Sequence, residues 1–154
     1  MDYLQSGNTA PLVRPEQRVE TARDGSGAQV RAWFRTISIR AMVERLKLMA
    51  DLELPCTVCL GDRAEDHCCR SVIRAVALHD GRLTLSGEGF SLHLRETHIQ
   101  SVQLVHRRHA AGTETAIEIF SASGALLARF VGTPERERAA IWQDIMDSFA
   151  VAAC

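Results

Sequence analysis

At 154 residues the chain has the size of one domain, long enough to bury roughly two thirds of the surface its unfolded form exposes. Hydrophobic residues at 46% and charged residues at 24% are the balance of an ordinary globular protein, and a net charge of −1 gives no electrostatic reason to expect nucleic acid or anionic membrane as a partner. No window reaches the ~18 apolar residues of a membrane span, the start lacks the apolar run of a secretory signal, and the five cysteines are an odd number, so a soluble protein of the reducing cytoplasm is expected, with no membrane insertion.

Residues 1–28 hold Gly7, Pro11, Pro15, Asp24, Gly25 and Gly27 among scattered charges with no periodicity, which reads as a flexible N-terminal arm ahead of a single domain over 29–154. From Ser38, a candidate N-cap, Ile39, Met42, Val43, Leu46, Met49 and Ala50 recur at helical spacing with Arg40, Glu44, Arg45, Lys47 and Asp51 on the other face. Pro55 ends this helix. Trp33 and Phe34 before it are expected to pack on the core.

Cys56 to Leu60 is a short β-compatible run, and Gly61-Asp62-Arg63 turns into a strand over 66–78. Asp80-Gly81 makes a tight turn into 82–86, where Leu83 and Leu85 share a face. Phe90, Leu92 and Leu94 alternate with Ser91, His93 and Arg95, which places His93 opposite the leucines. Strands over 99–108, 115–120 and 125–131 follow, with turns at 110–114 and 121–124. Every connection is too short for a parallel crossover, so the sheet is antiparallel.

Thr133 as N-cap and Pro134 at the first helical position open a last helix with Ile141, Trp142, Ile145, Met146 and Phe149 as its apolar stripe. The expected fold is α+β, an antiparallel sheet of about seven or more strands flanked by an N-terminal and a C-terminal helix.

Cys56, Cys59, His67, Cys68 and Cys69 have the ligand types for zinc. Alternation in strands turns Cys56 from Cys59 and Cys68 from Cys69, however, which favours free thiols. His67, beside Glu65 and Asp66, reads as a metal ligand or as a solvated turn histidine. His98 has the same two readings. The run His106-Arg107-Arg108-His109 puts its cations on opposite faces of one strand end, where a carboxylate or phosphate can meet them; a solvated strand end is the plainer reading. No GxSxG, P-loop, GxGxxG or HExxH motif is present, so side-chain catalysis finds no support.

The pattern Phe90-Ser91-Leu92-His93-Leu94, Glu96, Ile99, a basic pair, Gly112, Thr115, Glu118, Phe120, Gly124 and Phe130-Val131-Gly132 resembles the repeat unit of the bacterial haem-utilisation family. Two-repeat HemS-type and single-repeat ChuX- and HutX-type proteins belong to it. Upstream, Val58 to Gly61 with Arg63 is similar to the family's strand and glycine turn, and Trp142 falls near its tryptophan, so the likeness spans about 54–146.

The resemblance implies a HemS/ChuX-like half-repeat, a homodimer and haem as cofactor, with Arg107 and Arg108 at the propionates and His67 or His106 on the iron. It points to a cytoplasmic haem carrier or storage protein of iron utilisation, with haem degradation less supported. The alternatives are a degenerate member, a dimeric structural or regulatory module without haem, and a metal-binding protein using Cys59, His67 and Cys68. The chain departs from the family in having no histidine before His67, and in carrying Gln143, Asp144 and Met146 where a tyrosine and an arginine are expected.

Overall fold

The structure, a computed structural model, describes residues 17–23, 29–61, 68–109, 112–132 and 140–146. In chain order it contains β1 (Gln17–Arg23), β2 (Gln29–Ile37), α1 (Ile39–Asp51), β3 (Pro55–Leu60), β4 (Cys68–His79), β5 (Arg82–Gly87) and β6 (Phe90–Arg95), then one 3-10 turn (Glu96–His98). β7 (Ser101–His109), β8 (Gly112–Phe120) and β9 (Leu126–Gly132) follow, with a last helix, α2, over 140–146. Among the described residues every strand pairing is antiparallel, in one nine-stranded sheet ordered β1-β2-β7-β8-β9-β3-β4-β5-β6. The α+β class and the antiparallel sheet therefore stand as expected.

Two strands exceed the expectation. The segment expected to be a flexible arm supplies β1, an edge strand paired with β2 from Gln17↔Arg35 to Arg23↔Gln29, while the rest of residues 1–28 lies outside the described residues. β2 takes up Trp33 and Phe34. Neither strand has a continuous apolar alternation, and β2 owes its place to pairing with β7, some 70 residues later in the chain.

Elsewhere the local signals hold, except that 112–114, expected within a turn over 110–114, belong to β8 and pair with β7. Ser38 caps α1 by accepting from the Ala41 amide at 3.0 Å. Asp80 and Gly81, with φ of 51° and 73°, form the turn that joins β4 to β5, a backbone whose twist matches the flanking strands. His93 is exposed and Leu92 and Leu94 are half-buried, as alternation demands.

One face of the sheet carries the main core, and Ala32, Phe34 and Val105 form a small buried cluster on the other. Met42, Leu46 and Met49 from α1 and Trp142, Ile145 and Met146 from α2 pack on Val58, Ile73, Leu83, Leu85, Val102, Leu104, Ile117, Ile119 and Phe130. Two residues behave otherwise than the helical pattern suggests. Ile141 is exposed, and Arg45 is fully buried. Arg45 donates from Nη1 to the Ala41 carbonyl at 3.2 Å and from Nη2 to the Met146 carbonyl at 3.1 Å, so its guanidinium ties the two helices together while its stem fills the core. The expected cap at Thr133-Pro134 and the apolar Phe149 lie outside the described residues.

Candidate functional site

The basic end of β7 is where the sheet separates its polar groups. Val102 and Leu104 point into the core under the helices, so His106 and Arg108 continue on that face, and Val105 and Arg107 take the reverse. The His106-Arg107-Arg108 run is thereby split between two environments.

On the helix-side face, His106 lies opposite Thr115 in the β7–β8 register and opposite Trp33 in the β2–β7 register. Its Nδ1 is 3.1 Å from Thr115 Oγ1. The Thr115 hydroxyl in turn donates to Gln143 Oε1 of α2 at 2.8 Å, and the Trp142 indole N–H donates to the Thr115 carbonyl at 3.0 Å. A hydroxyl has one proton to give. With that proton on Gln143, Thr115 Oγ1 accepts from His106 Nδ1–H, so a neutral imidazole in this arrangement carries its lone pair on Nε2. Two residues further along, Arg31 and Arg108 stand directly opposite each other, both exposed. The Arg31 guanidinium lies over the Trp33 ring at 5.0 Å from its centroid.

On the reverse face, Arg107 and Arg129 meet Glu114 and Glu118. Arg107 Nη1 donates to Glu118 Oε2 at 3.0 Å and is 3.8 Å from Glu114 Oε1. Arg129 Nε is 3.1 Å from the same Glu118 oxygen, and Arg129 Nη2 donates to Glu114 Oε1. Register makes this ring, because Arg107↔Glu114 and Glu118↔Arg129 are directly opposed cross-strand pairs. Glu118 is buried at 4% exposure; its carboxylate depends on the two guanidinium groups for the interactions water would otherwise supply. Arg107 also lies 5.9 Å from the Phe34 ring centroid. Arg107 is thus tied into a four-charge ring, where the sequence suggests a contact for an anionic ligand.

The cysteines divide by face as alternation predicts, but not all are free thiols. Cys59 and Cys68, opposed in the β3–β4 register, form a disulfide, which removes both sulfurs as thiolate ligands and corrects the expectation of a Cys59-His67-Cys68 metal centre. Among the described residues no cluster of three or more metal-binding side chains occurs. Cys56 and Cys69 remain free thiols on the core side; burial, reinforced by the neighbouring Cys69, pushes the Cys56 thiol up to about 12, so it stays protonated and inert at neutral pH. His67 lies outside the described residues. His98 is exposed in the 3-10 turn, at the far end of β7 from His106.

The roles of four participants escape sequence reading. Glu118 stands out there only as a position of the family pattern and Gln143 only as a departure from it, Glu114 and Arg129 not at all, and cross-strand register and the docking of α2 are what bring the four to β7. A polar residue on the strand interior, such as Glu118 between Ile117 and Ile119, is the one signal that points to a buried partner.

A family model described as the haemin-degrading HemS.ChuX domain matches residues 22–149. Among solved structures, the chain is similar to PhuS, a haem-binding protein from Pseudomonas aeruginosa, with a TM-score of 0.62 and 22% identity over 75% of this chain and 34% of that one. It is similar to ChuS, an Escherichia coli haem oxygenase, with a TM-score of 0.62 and 23% identity over 75% of this chain and 36% of that one. An Erwinia carotovora protein matches with a TM-score of 0.51 and 16% identity over 73% of this chain and 76% of that one. At these identities the likeness is one of fold, and the chain spans only 34–36% of the length of PhuS and ChuS. The comparison with curated proteins gives no match.

Proposed function

Because the chain belongs to the HemS/ChuX family, we propose that it is a haem-binding protein of haem and iron utilisation, a cytoplasmic carrier or store that works as a homodimer. The observation that carries the reading is the His106-Thr115-Gln143 chain. An imidazole whose Nδ1–H is engaged and whose lone pair is on Nε2 has the tautomer and the orienting partner that an iron ligand needs. Haem, when bound, would supply an iron for such a nitrogen to ligate and two carboxylates for basic side chains to meet.

Of the basic residues suggested for those carboxylates, Arg108 shares the face of His106, and Arg107 does not. Recruiting Arg107 would strip the buried Glu118 of a partner, at a cost of several kcal/mol in ion pairing. The propionate role is therefore assigned to Arg108. His67 stays as a second candidate ligand on the family pattern. A carrier needs ligation and carboxylate recognition alone; a degradative enzyme needs in addition an oxidant beside the iron and an electron donor.

The test is an absorbance titration with hemin. The expected result is a saturable Soret shift in the wild type, lost or strongly altered in His106→Ala and weakened in Thr115→Val, with the fold intact by circular dichroism. A shift unchanged in His106→Ala but lost in His67→Ala moves the ligand to His67. No shift at all overturns haem binding and leaves the dimeric module without haem.

A further inference from the structure

The four described cysteines lie on the adjacent strands β3 and β4 and divide two and two between the faces of the sheet. Cys56 and Cys69 stand on the core side, where burial keeps the Cys56 thiol protonated. Cys59 and Cys68 stand on the reverse face, directly opposed and bridged. The bridge is unequally covered: Cys59 is 3% exposed, whereas Cys68, the first residue of β4, is exposed. A thiol from solution therefore reaches it from the Cys68 side. Five residue pairs, from Pro55↔Val72 to Cys59↔Cys68, hold β3 against β4, and β9 holds β3 from the other side with Arg129 directly opposite Cys59. The ladder keeps the two sulfurs neighbours whether or not they are bonded.

We infer that Cys59 and Cys68 form a site of reversible thiol–disulfide exchange with low-molecular-weight thiols, in which Cys68 is the sulfur attacked and Cys59 the resolving thiol. A thiolate attacks Cys68 Sγ, the Cys59–Cys68 bond breaks, and its electron pair leaves on Cys59, giving a mixed disulfide at Cys68. The leaving sulfur departs beside the Arg129 guanidinium, where a thiolate is better tolerated than among the apolar side chains around Cys56. A second thiolate attacks the outer sulfur of the mixed disulfide and releases Cys68. The net change is a two-electron reduction: one protein disulfide and two small thiols become two protein thiols and one small disulfide. In the reverse direction the Cys68 thiolate attacks the small disulfide, and Cys59 then expels the small thiol from Cys68. Cys56 and Cys69 face away from this chemistry, so the bond re-forms between the same two sulfurs. In the reducing cytoplasm proposed for this chain, a disulfide is as a rule a transient or redox-sensing one.

The experiment equilibrates the full chain in glutathione buffers of stepped reduced-to-oxidised ratio, then alkylates the free thiols and locates them by peptide mass. Cys59 and Cys68 should pass together from bridged to free across the series, reach the same ratio from either starting state, and leave the far-ultraviolet circular dichroism unchanged. Cys59→Ser treated with oxidised glutathione should take one glutathione at Cys68 at least about 10-fold faster than Cys68→Ser takes one at Cys59, because access to the sulfur sets the rate. A bridge that stays closed at every ratio, or that opens only with loss of the dichroism, is a structural staple and overturns the exchange site. Equal rates in the two single variants overturn entry at Cys68. No arm of the experiment uses the Soret shift, so this site and the haem reading fail separately.

Discussion

Substituting Gly132→Ala tests how α2 is held against the sheet. A Cβ at residue 132 would lie 2.6 Å from Cδ1 and Cγ of Trp142 and 2.8 Å from its Nε1, about 1 Å inside the separation at which carbon atoms attract. Trp142 is 2% exposed and its indole donates to the Thr115 carbonyl, so the ring cannot retreat without losing a buried hydrogen bond and pushing α2 outwards. Overpacking of this kind costs about 1–3 kcal/mol, and the lost hydrogen bond adds roughly 1 kcal/mol. The expected total is about 2–4 kcal/mol, measured by urea denaturation followed through tryptophan fluorescence, with a drop in Tm of roughly 5–15 °C for a domain of this size. The decisive comparison is the same substitution in a Trp142→Phe background, where the smaller ring leaves room and the cost of Gly132→Ala should fall to about 1 kcal/mol or less. An undiminished cost in that background would refute the packing argument. Because Trp142 and Gln143 grip Thr115 together, the single variant should also weaken the hold on His106.

In the reverse-face ring, Glu118→Ala should cost about 3 kcal/mol because it leaves two partly buried guanidinium groups short of a partner, while Glu114→Ala, whose side chain is 33% exposed, should cost about 1 kcal/mol or less; equal losses in urea denaturation would contradict the assignment of Glu118 as the hub. Reduction of the Cys59–Cys68 disulfide, which closes a loop with a sequence separation of 9, should lower the unfolding free energy by about 2–3 kcal/mol, and a denaturation midpoint insensitive to dithiothreitol would show that the two sulfurs are not joined. The Cys56 thiol is raised from 9.0 to about 12 by burial, so its contribution to stability is complete below pH 9 and is lost as pH rises towards 12, where the unfolded chain ionises first. The stability difference between wild type and Cys56→Ala should accordingly narrow above pH 9, and a difference constant to pH 11 would argue against a buried neutral thiol.

The local elements of this protein are determined by the sequence itself. Helical spacing from Ile39, a capping Ser38, alternation through 82–95 and the Asp80-Gly81 turn each act within a few residues, where propensity and side-chain period suffice to specify backbone conformation. The same alternation determines that His93 faces away from the leucines and that Cys56 and Cys59 part. What tertiary structure decided is which strands meet. The sheet order places β2 against β7 and β9 against β3, and no local pattern carries that information, because pairing energy depends on what lies opposite a residue far along the chain.

That long-range pairing is also what turned a basic tetrad into two different sites. Read along the strand, His106, Arg107 and Arg108 are one patch. Folded, Arg107 belongs to a neutral ring with Glu114, Glu118 and Arg129, and His106 joins Thr115 and Gln143 beneath α2. Arg108 meets Arg31 across a strand boundary, in a pairing of like charges that only the sheet's register reveals.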